Sequence, residues 1–426
     1  MTGVGDCGKI VSDRTLPRVT DDRFACSWES VTPPSPSSGP SPPARSPLAA
    51  TGAVVTAVVL FGLSAMILPP AGVILLGGLL ALAGVVVFRG PRVRSSLLVL
   101  ASVLLSFAAA EAFIGVLAQP PVNRDVVKST VPSTWTVDDE IVGYRPRPGT
   151  TVTATATFGD ETVFRRTYTI EPSGARRTPG SKEGGPTYLF IGDSYVFGEG
   201  LEDEQTLAAR FAAGLRTSAH VVNLGVLGYS PAHLVRAIET GAYDRYVEGK
   251  VAAVVTWITR LHLPRLTGDG GWLGSSPRFV LDSKGKPVFT GSFNEYRWSH
   301  PAAGIDYLAR THLASVARAV RRDLEHEQVP LYFALLAELR DKVRQRYDAP
   351  LVLICDWPET VAEGDDDRVY MPYFKDIQAL GLPMVSVRRI LGPFDNWKNY
   401  AIPRDGHPNQ RLTDAVAKEL LKILGP

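Results

Sequence analysis

The chain has 426 residues, with 45 Lys and Arg against 43 Asp and Glu and a net charge of +2 at pH 7. This balance argues against a nucleic-acid-binding protein, which needs a clustered positive charge. The length suffices for one large or two ordinary domains.

Residues 1–50 end in VTPPSPSSGPSPPARSP. A segment so rich in Pro and Ser cannot bury enough apolar surface to fold, so we predict a disordered tail. Two of the three cysteines, Cys7 and Cys26, lie in this tail. Cys355 follows the apolar run LVLI and is expected to be a small buried side chain, so the folded part has no disulfide.

Three apolar stretches follow the tail, at 51–68, 71–88 and 96–118. Each approaches or exceeds the roughly 18 to 20 residues that cross a bilayer as a helix. The loop RGPRVR between the last two carries Arg89, Arg92 and Arg94. The positive-inside rule places this loop and the tail in the cytoplasm. Three transmembrane helices over 51–118 would then put everything after residue 118 outside the membrane.

Residues 119–186 are predicted to form a linker and a small β lead-in that packs against the main domain. The segment TVTATATFGDETVFRRTYTIEP alternates apolar and polar residues on either side of Gly159-Asp160. Alternation around a Gly-Asp pair is typical of a β-hairpin.

From residue 187 to 426, apolar runs alternate with helical patterns. Leu207, Phe211 and Leu215 recur at a spacing of four residues, as do Leu412, Val416 and Leu420. This alternation predicts an α/β domain, with a three-layer, mostly parallel sheet and helices on both faces. A hairpin is expected at 280–291. The predicted strands are 187–192, 220–225, 251–259, 330–336, 349–355 and 382–387.

The first of these strands leads into YLFIGDSYVFGEG (188–200), which places Ser194 on a turn at the strand tip. Such a serine is a candidate nucleophile if a base and an oxyanion site lie near it. The best candidate base is His407 in PRDGHPNQ, just ahead of the last helix. An extended Asp405-Gly406-His407 would let the Asp405 carboxylate orient the ring. Asp193 is expected to cap the turn after the strand.

Three blocks, GDSYVFGEG, NLGVLGYS (223–230) and DGHPN (405–409), resemble those of the SGNH (GDSL-type) hydrolase superfamily over about residues 187–426. Membrane spans followed by GYRPRPG (143–149) and then the serine block resemble a membrane-anchored subgroup of bacterial envelopes. The close Asp-x-His pair resembles that of the acetyltransferases that modify alginate. This resemblance implies a flavodoxin-like fold and a serine hydrolase or acyltransferase.

By position, the resemblance makes Ser194 the nucleophile, His407 the base and Asp405 its orienting partner. It also makes the backbone N–H groups of Ser194 and Gly228 oxyanion donors. The superfamily has an asparagine donor after the third strand, but VVTWITRLHLPR (254–265) contains none. Its replacement could be His262, which is the first candidate, or else Thr256, Thr259 or Arg260.

The leading interpretation is a serine esterase of envelope or extracellular glycan esters, in the bacterial cytoplasmic membrane with its catalytic domain outside. One alternative is an O-acetyltransferase of a cell-surface polysaccharide, which would need a membrane partner to deliver acyl groups. The other is a non-catalytic glycan-binding or scaffold protein. No cofactor or metal is expected, since the aspartates of EGDDDR (363–368) are adjacent and do not converge. A histidine base of ordinary pKa predicts activity that rises through about pH 6 to 7.

Overall fold

The structure is a computed structural model of the chain. It describes residues 70–117, 126–268, 272–299, 324–359, 366–392 and 397–425. The tail at 1–50 and the first apolar stretch at 51–68 lie outside the described residues, so the predictions made for them stay predictions.

Two apolar helices open the described part, α1 (Pro70–Val87) and α2 (Pro91–Leu117). Helix α2 begins at Pro91 rather than at residue 96, because proline is favoured in the first position of a helix. Arg92 and Arg94 therefore lie in the first turn of α2, whereas the sequence analysis placed them in a loop. The most apolar 18-residue window of this helix, within Pro91–Gly115, has a mean hydropathy of 2.3, and the helix is long enough to cross a membrane, whereas α1 is shorter. Within the described residues one helix thus meets the criteria for a span, and three spans stay a prediction.

Five strands form the β lead-in. The strands β4 and β5 pair antiparallel across Gly159-Asp160, which confirms the predicted hairpin. Alternate residues of β4 are buried together with Phe164 and Tyr168, and they pack on Phe197, which follows the candidate serine. The lead-in thus covers the serine segment. Its strands are β1 (Val127–Val131), β2 (Thr136–Asp139), β3 (Gly143–Pro146), β4 (Thr151–Phe158) and β5 (Glu161–Thr169).

The central sheet has five parallel strands in the order β12-β11-β8-β6-β7. Alternate side chains point to opposite faces: Leu189 and Ile191 of β6 pack in one core cluster, and Tyr188 and Phe190 in the other. Both faces are covered by helices, so the predicted three-layer α/β fold is confirmed. The strands are β6 (Thr187–Gly192), β7 (His220–Gly225), β8 (Val251–Ile258), β11 (Leu351–Cys355) and β12 (Met384–Ser386).

The helices of this part differ in length, and two of them cover the sheet face that holds Tyr188 and Phe190. These are α4 (Leu207–Gly214) and α11 (Gln410–Leu424), which follow the spacings read from the sequence. The other helices are α3 (Ser194–Phe197), α5 (Pro231–Thr240), α6 (Phe293–Ser299), α7 (Leu324–Tyr347), α8 (Phe374–Ala379), α9 (Val387–Leu391) and α10 (Trp397–Tyr400). Single 3₁₀ segments are Asp203–Gln205, Asp244–Tyr246, Arg260–His262, Pro264–Leu266 and Asp366–Tyr373.

One predicted strand is wrong: residues 330–336 lie inside helix α7. A short apolar run does not distinguish a strand from a buried helix turn. Here Leu331, Leu335, Leu339 and Val343 recur every four residues and are all buried, so the longer window fits a helix. The hairpin expected at 280–291 is confirmed as β9 (Pro277–Leu281) paired with β10 (Pro287–Ser292). Cys355 is a free, buried cysteine, as predicted.

The chain passes from β6 to β7 on one side of β6 and then returns to β8 on its other side. In open α/β sheets a crevice forms where the strand order reverses, beyond the carboxyl ends of the strands. Ser194 follows β6 after the single residue Asp193 and therefore lies at this crevice.

Candidate active site

A tight turn after β6 positions Ser194. Asp193 is the N-cap of α3, and its Oδ1 accepts a hydrogen bond of 3.0 Å from the N–H of Tyr195. The predicted capping role of Asp193 is therefore confirmed. Gly198 ends the short helix with φ of 84°, a left-handed conformation that suits glycine. The resulting turn fixes the backbone of Ser194 at the first helical position.

The side chain of His407 joins Ser194 to Asp405. Its Nε2 lies 2.9 Å from Ser194 Oγ, across 213 residues of sequence. Its Nδ1 lies 2.6 Å from Asp405 Oδ2. The three predicted side chains thus form one hydrogen-bonded row, in which the carboxylate fixes the ring and the ring faces the hydroxyl.

The sequence predicts an extended loop for this pair, but the loop instead forms a closed turn. Gly406 has φ of 83°, and its N–H donates to the carbonyl of Ile402 at 2.9 Å. The N–H of Ile402 in turn donates to the carbonyl of His407 at 2.7 Å. These two hydrogen bonds close the chain into a turn between Ile402 and His407. Glycine is needed because other residues adopt such a φ only with strain.

Two charged residues that the sequence analysis missed complete the base side. Glu199 Oε2 lies 3.1 Å from His407 Nε2. Lys128 Nζ lies 2.7 Å from Glu199 Oε1 and 2.7 Å from Asp405 Oδ1. Glu199 stands in the serine block itself, where an acidic residue between two glycines was the available signal. Lys128 comes from β1, and its sequence context carried no signal.

These contacts move the pKa values of the base side. Burial opposes the charged form of His407, but its hydrogen bonds with Asp405 and Glu199 and their charges raise the histidine pKa to about 9. Burial likewise opposes ionisation of Asp405, yet its contacts with His407 and Lys128 lower its pKa to about 2. At neutral pH the ring is therefore an imidazolium that faces two carboxylates.

Gly228 has a left-handed backbone conformation, with φ of 83°. A Cβ at this position would come within 2.6 Å of Tyr144 Oη and 2.7 Å of Trp272 Nε1, so only glycine fits. Tyr144 belongs to GYRPRPG, and its hydroxyl donates to the carbonyl of Leu227 at 2.7 Å. Within the described part of the chain, neither the Ser194 N–H nor the Gly228 N–H donates to a carbonyl.

His262, the first candidate to replace the missing asparagine, is engaged elsewhere. Its side chain is only 2% exposed, and its Nε2 lies 3.1 Å from Asp193 Oδ2. Burial lowers the pKa of His262, so the ring is neutral at pH 7 and Nε2–H donates to the carboxylate. The structure brings His262 to the serine turn, but as a partner of Asp193.

Arg265 shares the same carboxylate. Its Nη1 lies 3.0 Å from Asp193 Oδ2 and also donates to the carbonyl of Tyr229. Although burial opposes ionisation of Asp193, its contacts with His262, Arg265 and the Tyr195 N–H hold the Asp193 pKa below its usual value. Arg265 therefore ties the serine turn to the loop of Gly228.

The remaining candidates for the missing donor differ in what their side chains contact. Thr259 Oγ1 accepts from the N–H of Leu261 at 3.3 Å and so caps a turn. The guanidinium of Arg260 lies 5.5 Å from the ring centre of Tyr370. Thr256 is fully buried in β8 beside β6, and its hydroxyl has no hydrogen-bond partner among the described residues. Of these three candidates, Thr256 therefore has the side-chain oxygen that lies next to β6 and makes no hydrogen bond within the described residues.

The fully buried Arg176 supports the loop that carries Glu199. Its Nη1 donates to the carbonyls of Phe197 and Gly198, each at 2.7 Å, and its Nη2 donates to the carbonyl of Leu201 at 2.6 Å. Its Nε pairs with Asp203 at 3.2 Å. These charge-assisted bonds fix the backbone around Glu199.

The described ranges contain no group of three His, Cys, Asp or Glu side chains that could hold a metal ion. The EGDDDR run lies partly outside those ranges. The fold and site together define an α/β protein with a Ser–His–Asp row at the carboxyl edge of a parallel sheet.

No protein-family model and no curated protein matches the chain. Solved structures with similarity include a member of the lipolytic protein G-D-S-L family from Veillonella parvula DSM 2008. It has 11% identity and a TM-score of 0.33, over 56% of this chain and 98% of that one. Another is a carbohydrate acetylesterase family member from Sinorhizobium meliloti, with 13% identity and a TM-score of 0.30, over 56% of this chain and 98% of that one. At these values neither match establishes the reaction of this chain.

Proposed function

We propose that the chain is an SGNH-type serine hydrolase of acyl esters, with Ser194 as nucleophile, His407 as base and Asp405 as its orienting partner. The observation that carries the proposal is the hydrogen-bonded row Ser194 Oγ, His407 Nε2, His407 Nδ1 and Asp405 Oδ2, with contacts of 2.9 and 2.6 Å. A hydroxyl and an imidazole within this distance permit proton transfer during nucleophilic attack.

The reaction begins when neutral His407 takes the proton of Ser194 Oγ as this oxygen attacks the ester carbonyl carbon. The carbonyl oxygen becomes an oxyanion and is held by the N–H groups of Ser194 and Gly228. The imidazolium then gives its proton to the leaving alcohol, and an acyl-serine forms. A water molecule, deprotonated by His407, attacks the acyl-serine, releases the acid and restores the hydroxyl.

The substitution Ser194→Ala tests this proposal in the full-length protein in detergent. Hydrolysis of 4-nitrophenyl acetate should fall by about 10³-fold or more, since the nucleophile is lost. Ser218→Ala, which changes an exposed serine outside the site, is the matched control and should keep the wild-type rate. Retention of the full rate by Ser194→Ala would overturn the proposal.

An exposed aromatic ring next to Gly228 supports a glycan substrate. The indole of Trp272 is 60% exposed, and its Nε1 lies 2.7 Å from the position that a Cβ on Gly228 would occupy. An aromatic face with a polar N–H suits a ligand with both apolar and hydroxyl surfaces, as a sugar ring has. Trp272→Ala should therefore raise KM for an acetylated polysaccharide several-fold and leave KM for 4-nitrophenyl acetate unchanged. An equal effect on both substrates would argue against a sugar subsite at Trp272.

The proposal includes a location: the catalytic domain lies outside the cytoplasmic membrane, anchored by the apolar helices. Helix α2 supports the anchor, and the envelope location makes surface glycan esters the substrate class. Protease added to intact spheroplasts should digest the domain, and resistance until lysis would contradict this topology.

Transfer of acetyl to an added glycan in place of acetate release would favour the O-acetyltransferase. Glycan binding without Ser194-dependent turnover would favour a binding or scaffold role.

A further inference from the structure

The Nε2 atom of His407 has two oxygens within hydrogen-bond distance, Ser194 Oγ at 2.9 Å and Glu199 Oε2 at 3.1 Å. In the neutral ring, with its proton on Nδ1 toward Asp405, Nε2 holds a lone pair. That lone pair accepts the hydroxyl hydrogen of Ser194, but it repels an ionised Glu199. In the imidazolium, Nε2 carries a hydrogen that Glu199 accepts strongly. The two contacts therefore favour different protonation states of the same nitrogen.

We propose that Glu199 and Lys128 are positioning residues which set the pH at which His407 can activate Ser194. This inference rests on the proposed function of Ser194 and adds a control element to it. Glu199 favours the imidazolium, in which the base is blocked. Lys128 limits that effect, because its ammonium group neutralises part of the negative charge around the ring.

The geometry of Lys128 supports this division of roles. Its Nζ contacts both carboxylates that face the ring, Glu199 and Asp405, at 2.7 Å each. Lys128 itself has a pKa above its usual value: burial lowers it, but the charges of Glu199 and Asp405 outweigh burial. The ammonium therefore stays charged through the range in which His407 titrates. Because Lys128 lies in β1, the lead-in supplies one side chain of the site.

The neighbours Ser194 and Tyr195 of the His407 ring do not carry the charges that Glu199 and Lys128 supply. Ser194 is uncharged, and the ring of Tyr195 meets the imidazole edge-on, with 5.4 Å between ring centres. Within the described residues, the charges that contact one another at the ring are the carboxylates of Asp405 and Glu199 and the ammonium of Lys128. The pKa of His407, raised to about 9 against the effect of burial, agrees with two carboxylates acting against one ammonium.

The backbone around Glu199 is held rigidly, which keeps its carboxylate at Nε2. Arg176 binds the carbonyls of Phe197, Gly198 and Leu201, on either side of Glu199. The N–H of Gly200 donates to Tyr168 Oη at 2.8 Å. When His407 loses its Nε2 proton to solvent, the contact between Glu199 Oε2 and His407 Nε2 is no longer favourable. Because the loop is fixed, this contact is released by rotation of the Glu199 side chain.

The test measures the protonation of His407 without any ester chemistry. Full-length protein in detergent is treated with diethyl pyrocarbonate across pH, and modification of the His407 peptide is followed by mass spectrometry, since only the neutral ring reacts. The wild-type midpoint should lie near 9. Glu199→Gln removes a negative charge and should lower the midpoint by about 1 to 3 pH units. Lys128→Met removes a positive charge and should raise it.

A matched control is Glu202→Gln, which removes a carboxylate from the same loop. Glu202 accepts from the N–H of Thr167 at 3.0 Å and caps a 3₁₀ turn, and Gln can keep this acceptor. Its midpoint should equal that of the wild type. The acid limb of kcat/KM for 4-nitrophenyl acetate should move with the midpoint in each variant, which a purely structural role of Glu199 would not produce.

The outcomes separate this inference from the proposed function. An unchanged midpoint in Glu199→Gln, or shifts in the same direction in Glu199→Gln and Lys128→Met, would overturn the inference and leave Ser194-dependent hydrolysis intact. Opposite shifts without any Ser194-dependent hydrolysis would overturn the proposed function. If Glu199→Gln does not fold, the direction of the Lys128→Met shift decides, since Lys128 reaches the site from the partly exposed β1.

Discussion

Two histidine–aspartate pairs lie on either side of the Ser194 turn, and they have opposite properties. His407 contacts Asp405 at 2.6 Å, and its pKa is raised to about 9. His262 contacts Asp193 at 3.1 Å, and burial lowers its pKa. The first ring reaches the hydroxyl of Ser194, and the second supports the backbone of the serine turn through Asp193.

The difference comes first from burial, which is the largest influence on the pKa of His262, and then from the third charge beside each pair. Near His407 it is a carboxylate, Glu199, which favours the imidazolium. Near His262 it is the guanidinium of Arg265, which already neutralises Asp193 and disfavours a second positive charge. Exposure acts in the same direction, since the side chain of His407 is 16% exposed and that of His262 is 2% exposed. A His–Asp contact alone does not identify a base, because burial and the surrounding charges decide the protonation of the ring.

The largest expected effect comes from Asp405→Asn. The amide would no longer hold the Nδ1 proton or stabilise the imidazolium, so kcat/KM for 4-nitrophenyl acetate should fall by about 10⁴-fold. The thermal midpoint of the full-length protein should fall less than in Asp193→Asn, because the partner Lys128 is 37% exposed and keeps Glu199 as its second carboxylate. A variant that kept more than a tenth of the activity would show that Asp405 does not orient the base.

Asp193→Asn should instead act on stability. It leaves the Arg265 guanidinium without its carboxylate in a buried setting, which costs about 3 to 5 kcal/mol of unfolding free energy. Denaturant unfolding would measure the loss, with Asp160→Asn in the exposed hairpin turn as the unaffected control. A loss in Asp160→Asn equal to that in Asp193→Asn would contradict the assignment.

The same pair predicts how this stability depends on pH. The folded pKa of Asp193 lies below its unfolded value of about 4, so its contribution is complete above that pH. It is lost as the pH falls toward the lower folded pKa. The difference in unfolding free energy between wild type and Asp193→Asn should therefore shrink below pH 4. An unfolding free-energy difference that grows as the pH falls below 4 would contradict this prediction.

The smallest expected effect is that of Thr256→Val. A buried hydroxyl without a partner gains little from its polarity, so stability should stay within about 1 kcal/mol of wild type or rise. We expect hydrolysis to change less than about threefold, because the proposed oxyanion site uses the backbone N–H groups of Ser194 and Gly228. A fall of about 10²-fold would identify Thr256 as the third oxyanion donor.

Local patterns in the sequence predicted much of the molecule. Strands β6 and β7 match the predicted bounds, because each is an apolar run closed by glycine. The Ser194 turn was also predictable, since its capping aspartate and glycines act over a few residues. The run at 330–336 was misread because the four-residue period extends beyond it to Val343.

Contacts between distant elements could not be predicted in this way. Lys128 reaches the site only through the pairing of β1 with β4, which no local pattern specifies. The position of His262 depends on the 3₁₀ turn after β8, which directs its ring to Asp193, so that it was only a candidate from the sequence for the missing oxyanion donor. Distance along the chain, and not residue type, separates the predicted part of the site from the missed part.

The most direct test of the central claim is the reaction of Ser194 with a fluorophosphonate probe, located by mass spectrometry in the full-length protein. We predict an adduct on the peptide containing Ser194, at a rate that rises with pH toward about 9 and falls at least a hundredfold in His407→Gln. An adduct on another residue, or an equal rate in His407→Gln, would contradict the account.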